Sequence, residues 1–326
     1  MAASCRLLLG MLAVLALGMP AGAQTQDPEP QARPTFKSAV DLVSIAAVVR
    51  DHKGRFVRDL KKDDFVVREG NVRRDIVEFH SDDDAPVRVA LLFDVSGSMR
   101  VASLVEEARQ AARHVLGALR LVATGREADE AAVFSFDMNL ESLQPFTNDP
   151  GAIESALSRV VPYGQTSLYD AIAQTARRVA DVAPGDRHRR AVIVLTDGID
   201  TSSLMKPEEV SALASAIDVP IYVMTVVSPL DHPGGPDAVG EMVKGTPDTP
   251  LRLLARWTGG ELFVTSTPAG KSISARQIVD ELRHQYVLAF GSSGVAGWHP
   301  LNVKVKDRDL TVRARSGYTS GTRLGS

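Results

Sequence analysis

From Val87 onward the sequence alternates short, almost wholly apolar runs with longer stretches whose apolar residues recur every three or four positions. Few architectures can bury that pattern. Val87 to Phe93, Ala191 to Leu195 and Ile221 to Val227 read as strands covered on both faces, and Val101 to Leu119 places apolar residues at 101, 104, 105, 108, 112, 115, 116 and 119, one side of a helix. Further helices are predicted at about 150 to 160, 168 to 182, 207 to 217, 251 to 257 and 273 to 282. Ala131 to Phe136 and Leu140 to Phe146 are close enough to pair antiparallel, and Glu261 to Val264 reads as an edge strand. The expectation is an α/β fold, a doubly wound and mostly parallel sheet.

Strand-like patterning flanks this segment on both sides. Val40 to Val49 alternates with Val43, Ile45, Ala47 and Val49 on one face, and Asp-His-Lys-Gly at 51 to 54 follows as a turn. Phe65 to Arg68 and Asp75 to Phe79 are two more candidates, joined through Glu69-Gly70-Asn71 as a hairpin. After the α/β segment come Tyr286 to Phe290, Leu301 to Val305 and Leu310 to Arg315, with Gly-Ser-Ser-Gly at 291 to 294 as a turn. Three strands alone make a marginal unit, whereas three from each flank could share a core. The predicted organisation is therefore a discontinuous β-domain, residues 40–85 with 286–320, into which residues 86–285 are inserted.

The N-terminus differs from the rest. Arg6, an apolar run from Leu7 to Met19, Pro20 and Ala21-Gly22-Ala23 have the layout of a cleaved secretory signal over residues 1–23; an uncleaved anchor is the weaker alternative, because 13 apolar residues fall short of the ~20 a spanning helix needs. Residues 24–39 are polar and proline-containing, a flexible leader. Cleavage would move the formal charge from −3 to about −4, too small an excess to call for nucleic acid. Cys5, the one cysteine, lies before the apolar run, so the mature chain has no disulfide and no lipid-attachment cysteine. The expected location is secreted, periplasmic or cell-envelope, with no membrane span in the mature chain.

Chemistry concentrates where the first buried strand ends. Asp94 is followed by Ser96 and Ser98, and in an extended stretch these three would aim their oxygens at one point, with Gly97 letting the backbone turn. This spacing arises by chance in about one chain in ten of this length, and Ser98 could instead cap the following helix. Asp197, in Thr196-Asp197-Gly198, ends another buried strand, and Thr166 precedes a helix. Were the two strands neighbours where the strand order reverses, both carboxylates would open on the crevice where such sheets bind ligands. An all-oxygen set of this kind suits a hard cation, Mg2+ or else Mn2+ or Ca2+, with pull left over for an outside anionic oxygen.

Asp94-Val95-Ser96-Gly97-Ser98-Met99, Thr166 in Thr-Ser-Leu-Tyr-Asp-Ala, and Thr196-Asp197-Gly198 together resemble a von Willebrand factor type A domain over about residues 86–285. The resemblance implies a Rossmann-like fold and a metal-ion-dependent adhesion site of Asp94, Ser96, Ser98, Thr166 and Asp197. Lys62-Asp63-Asp64-Phe65 and Arg313-Ala314-Arg315-Ser316-Gly317-Tyr318 in the flanks are similar to a group of exported bacterial proteins related to this domain.

Other features read more plainly. Asp170, three residues after Ser167, suits helix capping or support of the site better than direct ligation, and Asp200 reads as a solvated loop residue. Residues 228–250 form a long Pro/Gly-rich connection that either walls the crevice or has no role. Arg187 to Arg190 read as a solvated turn, and Asp82 to Asp84 as linker rather than a calcium site. No histidine pair has metal-ligand spacing, no Gly-x-Ser-x-Gly elbow is present, and no nucleophile has an evident base, so the chain is not expected to be an enzyme. The function expected is metal-dependent binding of a carboxylate-bearing protein; a structural envelope protein with a fold-stabilising metal is the alternative, and a metal-assisted hydrolase the remote one.

Overall fold

The computed structural model describes residues 42–82, 85–122, 127–181, 186–227 and 249–320; the signal, the leader, Asp83-Asp84 and residues 228–248 of the long connection lie outside them. Strands β1 (Leu42–Arg50), β2 (Phe65–Glu69), β3 (Val72–Arg74) and β4 (Ile76–Ser81) come first. The α/β segment follows, with β5 (Val87–Asp94), α1 (Leu104–Ala118), β6 (Glu130–Phe136), β7 (Leu140–Thr147), α2 (Pro150–Ser158), α3 (Leu168–Ala180), β8 (Arg189–Thr196), α4 (Pro207–Ala216), β9 (Ile221–Val226), α5 (Pro250–Trp257), β10 (Leu262–Thr265) and α6 (Pro268–Arg283). The chain returns to strands in β11 (Tyr286–Gly291), β12 (Gly297–Val305), β13 (Thr311–Ala314) and β14 (Gly317–Ser320).

The central sheet has the order β10-β9-β8-β5-β6-β7, parallel except for β7. Its middle strands are apolar on both faces because both faces are covered. Val89, Leu91 and Phe93 of β5 pack in one core with α1 and α6, while Ala90 and Leu92 pack in the other with α3, α4 and α5. The chain leaves β5 toward β6 on one side and leaves β8 toward β9 on the other, so the strand order reverses between β5 and β8.

The flanks form two four-stranded sheets, β13-β1-β11-β4 and β14-β12-β2-β3, each mixing strands from before and after the α/β segment. β1 runs antiparallel between β11 and β13, and β12 lies against β2. Their inner faces share one core of Ile45, Ala47, Phe65, Val67, Tyr286, Leu288 and Phe290. The α/β segment is thus inserted in a discontinuous β-sandwich of eight strands.

Several expectations need correction. The strand paired with β2 across Gly70-Asn71 is Val72–Arg74, because the chain crosses to the other sheet at Asp75, and Ile76–Ser81 pairs with β11 instead. Val101 is not on the buried face of α1; the 3-10 backbone of Gly97–Ser103 is broken by a kink at Val101 and Ala102, and Val101 is exposed. His188 is buried, its Nδ1 2.5 Å from Asp186 Oδ1, so Arg187 to Arg190 is only in part a solvated turn. Glu127, Asp186 and His188 cluster there, at the end of the central sheet opposite Asp94, with Arg88 also bound to Asp186.

Removing residues 286–326 should strip protection from β1 amides in hydrogen exchange, because both neighbours of β1 lie in that segment. Retained protection over 42–50 would show that β1 folds without them.

Candidate metal centre

Register fixes the start of the site. Phe93 lies beside Leu195 in the β5–β8 ladder, so Asp94 and Thr196 leave the sheet side by side at its carboxyl edge. Thr196 Oγ1 donates to Asp94 Oδ2 at 2.6 Å, and the Ser96 amide donates to Asp94 Oδ1 at 2.9 Å. Asp94, Ser96 and Thr196 are all buried.

After Asp94 the backbone does not stay extended. Gly97 opens the 3-10 turn, its N–H donating to Gly164 O at 2.9 Å, and the turn rather than a strand brings Ser96 Oγ within 3.0 Å of Ser98 Oγ. Ser98 does not stand at the cap of α1: the helix begins at Leu104, six residues later, with Ser103 at its N-cap position. The opposite wall comes from Gly164, Gln165 and Thr166, and the third from Ile199 and Thr201, so Ser96, Ser98 and Thr166 line one crevice. Gly164 is held at φ +104 with Asp137 against it; a Cβ there would lie 2.8 Å from Asp137 Oδ2. This position requires glycine.

Asp197 follows Thr196, its Oδ1 accepting from the Ile199 amide at 3.1 Å. Burial pushes the Asp94 carboxyl up from its ordinary range; hydrogen bonds from Ser96 and Thr196 oppose this, and the charge of Asp197 adds to it. Among the described residues no Lys, Arg or His forms an ion pair with Asp94 or Asp197. A buried carboxylate beside a second one, with no cationic side chain, is costly unless a cation from outside joins it. Asp94, Asp197, Ser96, Ser98 and Thr166 offer oxygen donors alone, the chemistry that would suit a hard dication, and three of them, Ser96, Ser98 and Thr166, line one crevice.

Asp170 and Asp200 have parts that the sequence did not reveal. Ser167 and Asp170 do not cap α3 reciprocally; Ser167 Oγ meets Ser202 Oγ at 2.9 Å, and Asp170 accepts from the Leu204 and Met205 amides at 2.9 and 2.8 Å. Asp200 Oδ1 accepts from the Leu168 amide at 2.8 Å, capping α3 from another loop. Thr166 O receives the Thr201 and Ser202 amides at 3.0 and 2.9 Å. The loop after Asp197 is thereby laced to the start of α3, which fixes Thr166 relative to Asp197. No local spacing signals such a lacing, since its partners are more than 30 residues apart. Thr196 had a signal, a hydroxyl directly before the second carboxylate.

The family model described as von Willebrand factor type A domain matches residues 89–200, a span that runs from β5 to just beyond Asp197. No curated protein matches. Among solved structures, a conserved hypothetical protein BatB from Bacteroides thetaiotaomicron is 20% identical, covering 60% of this chain and 98% of its own, with a TM-score of 0.46. A von Willebrand factor type A protein from Catenulispora acidiphila is 14% identical over 78% of this chain and 76% of its own, TM-score 0.46. Proximal thread matrix protein 1 from the mussel byssus, with a zinc-occupied MIDAS motif, is 20% identical over 66% of this chain; the match spans 49% of that chain, TM-score 0.45.

Thr196→Val keeps the shape of the side chain and removes the donor to Asp94 Oδ2. The metal-free protein should lose about 1–3 kcal/mol in denaturant unfolding, the cost of a buried charged acceptor left short of a partner. An unchanged midpoint would mean that this hydrogen bond contributes nothing.

Proposed function

We propose, from the premise that residues 89–200 carry a von Willebrand factor type A domain, that the chain is an exported binding module. It grips an acidic side chain of a protein partner through a divalent cation held by Asp94, Ser96, Ser98, Thr166 and Asp197. The observation that carries this reading is the Asp94 carboxylate, buried beside Asp197 without a cationic side chain among the described residues, and bonded to the amide of Ser96, which lines one crevice with Ser98 and Thr166. The bound cation, Mg2+ or in its place Mn2+ or Ca2+, would supply Lewis acidity toward an anionic oxygen from outside.

The chain's own residues prepare that role. Thr196 and the Ser96 amide hold the Asp94 carboxylate in one orientation. Asp170 supports the site from behind by fixing the loop that follows Asp197. We take residues 86–285 as the binding domain and residues 40–85 with 286–320 as the β-domain that carries it. Export rests on the signal-like residues 1–23; among the described residues no helix is long and apolar enough to cross a membrane. The alternative, a structural protein whose metal only stabilises the fold, uses the same residues.

Titration calorimetry with Mg2+ should show one site in the full chain and none in Asp94→Ala. Saturating Mg2+ should raise the unfolding temperature of the parent but not of the variant, since a ligand at 100 times its Kd stabilises by about 2.7 kcal/mol. An equal thermal shift in both proteins would remove Asp94 from the site. If chelator lowers the unfolding temperature but releases no bound protein ligand, the structural alternative replaces the binding one.

A further inference from the structure

Ser44 and Ala46 alternate along β1 with Ile45 and Ala47, which fill the core of the sandwich, so the first two face away from that core. With Val287 of β11 they line a cavity of about 360 Å³, which is lined also by Arg187, Arg189 and Arg190 where β8 begins. That volume falls within the ~300–1,000 Å³ of small-molecule sites, which favour junctions between domains. The cavity is remote from the cation crevice. Arg189 and Thr196 are the two ends of β8, about 23 Å apart at the rise of a strand.

Three carboxylates line the same cavity, and each already has a cationic partner. Asp82 pairs with Arg187 at 2.7 Å, Asp218 with Arg315 at 3.4 Å, and Asp186 with Arg88 and with His188 Nδ1. Arg189 and Arg190 are left over. Arg190 Nη1 donates to Ala180 O at 3.2 Å, and its guanidinium has no ion pair among the described residues. The Arg189 side chain has neither an ion pair nor a hydrogen bond among them, and its Nε is shut off from solvent. Arg313 and Arg315 also leave Nε unbonded, but their outer nitrogens bind Glu281 and the carbonyls of Ser215 and Ser44. Burial pulls the Arg189 guanidinium below its ordinary range; the charges of Asp82 and Asp218 oppose this from beyond ion-pair distance, and that of Arg187 adds to it. A guanidinium drawn out of water without an acceptor is costly, and an acceptor from outside would relieve it.

We propose that this cavity binds a phosphoryl group, on inorganic phosphate or on a small phosphomonoester, with Arg189 and Arg190 as its counter-charges. Two unbalanced guanidinium groups match the roughly two negative charges of a phosphate at neutral pH, and the planar fork of Arg189 matches a pair of its oxygens. A lone carboxylate would leave one charge over. Ala46 and Val287 offer an apolar wall to the organic part of an ester.

Calorimetric titration of the phosphate-free full chain with inorganic phosphate and with glycerol phosphate tests this, in EDTA so that no cation at Asp94 takes part. One saturable site is expected; tighter binding of glycerol phosphate identifies an ester as the occupant, and equal binding identifies the free ion. Arg189→Gln and Arg190→Gln should each bind about tenfold more weakly, and Arg189→Lys should fall between, because an ammonium keeps the charge but not the fork. Circular dichroism checks that the variants fold, and Arg190→Gln decides where Arg189→Gln does not. Asp94→Ala should bind as the parent does. No saturable heat with either probe overturns the proposal whether or not the variants fold. So does undiminished binding to the folded variants, and so does loss of binding in Asp94→Ala, which would move the anion to the cation crevice.

Discussion

Parallel pairing of β5 with β8 sets the geometry on which the crevice depends. Seven consecutive rungs, from Val87 beside Arg189 to Phe93 beside Leu195, allow no slip, because a shift of one residue would turn every buried side chain to the opposite core. With Phe93 and Leu195 locked, Asp94 and Thr196 must emerge together. Their hydrogen bond is then a consequence of register, and so is the closeness of Asp197 to Asp94. The apolar cores on both faces hold this register, so the energy that places the two carboxylates comes from residues with no polar chemistry of their own.

Holding two acids together at the end of that ladder costs stability in the absence of a cation. Hydrogen bonds from Ser96 and Thr196 offset part of the cost of burying Asp94. Natural folds retain such a conflict where it serves a site, and the loops around it show the same economy of local rules. Gly164 takes a backbone conformation closed to side chains, Ala102 and Ser103 are left-handed without being glycine, and the loop after Asp197 spends its amides on Asp170 and on Thr166 O.

What the sequence disclosed follows from the range of each interaction. Fully buried strands are legible because burial on two faces demands apolar residues at every position, and β5, β8 and β9 stand where their patterns put them. The short strands β3 and β14 escaped notice, since three or four residues half open to solvent carry no period. Val101 fits a helical face by spacing alone; only the turn that Gly97 opens shows why it lies outside α1. Asp200 looked idle for a different reason: the amide it caps is 32 residues away in sequence, and spacing within one segment carries no trace of it. His188 was obscured by its three arginine neighbours, whose charge suggested solvent while its ring packs inward against Asp186.

The insertion itself has a mechanical meaning. The chain passes into the α/β segment from β4 and out of it into β11, and these two strands are hydrogen-bonded neighbours, Ser81 beside Tyr286, at the edge of the segment opposite the crevice. Arg50 and Arg313 of the sandwich both clasp Glu281 on α6, and Arg315 reaches the carbonyls of Ser215 and Ser44. The α/β segment is therefore joined to the sandwich through two strands that leave it as hydrogen-bonded neighbours. A domain strung between neighbours like a bead has its two chain connections at separate ends; this one hangs from a paired stem, with both connections side by side.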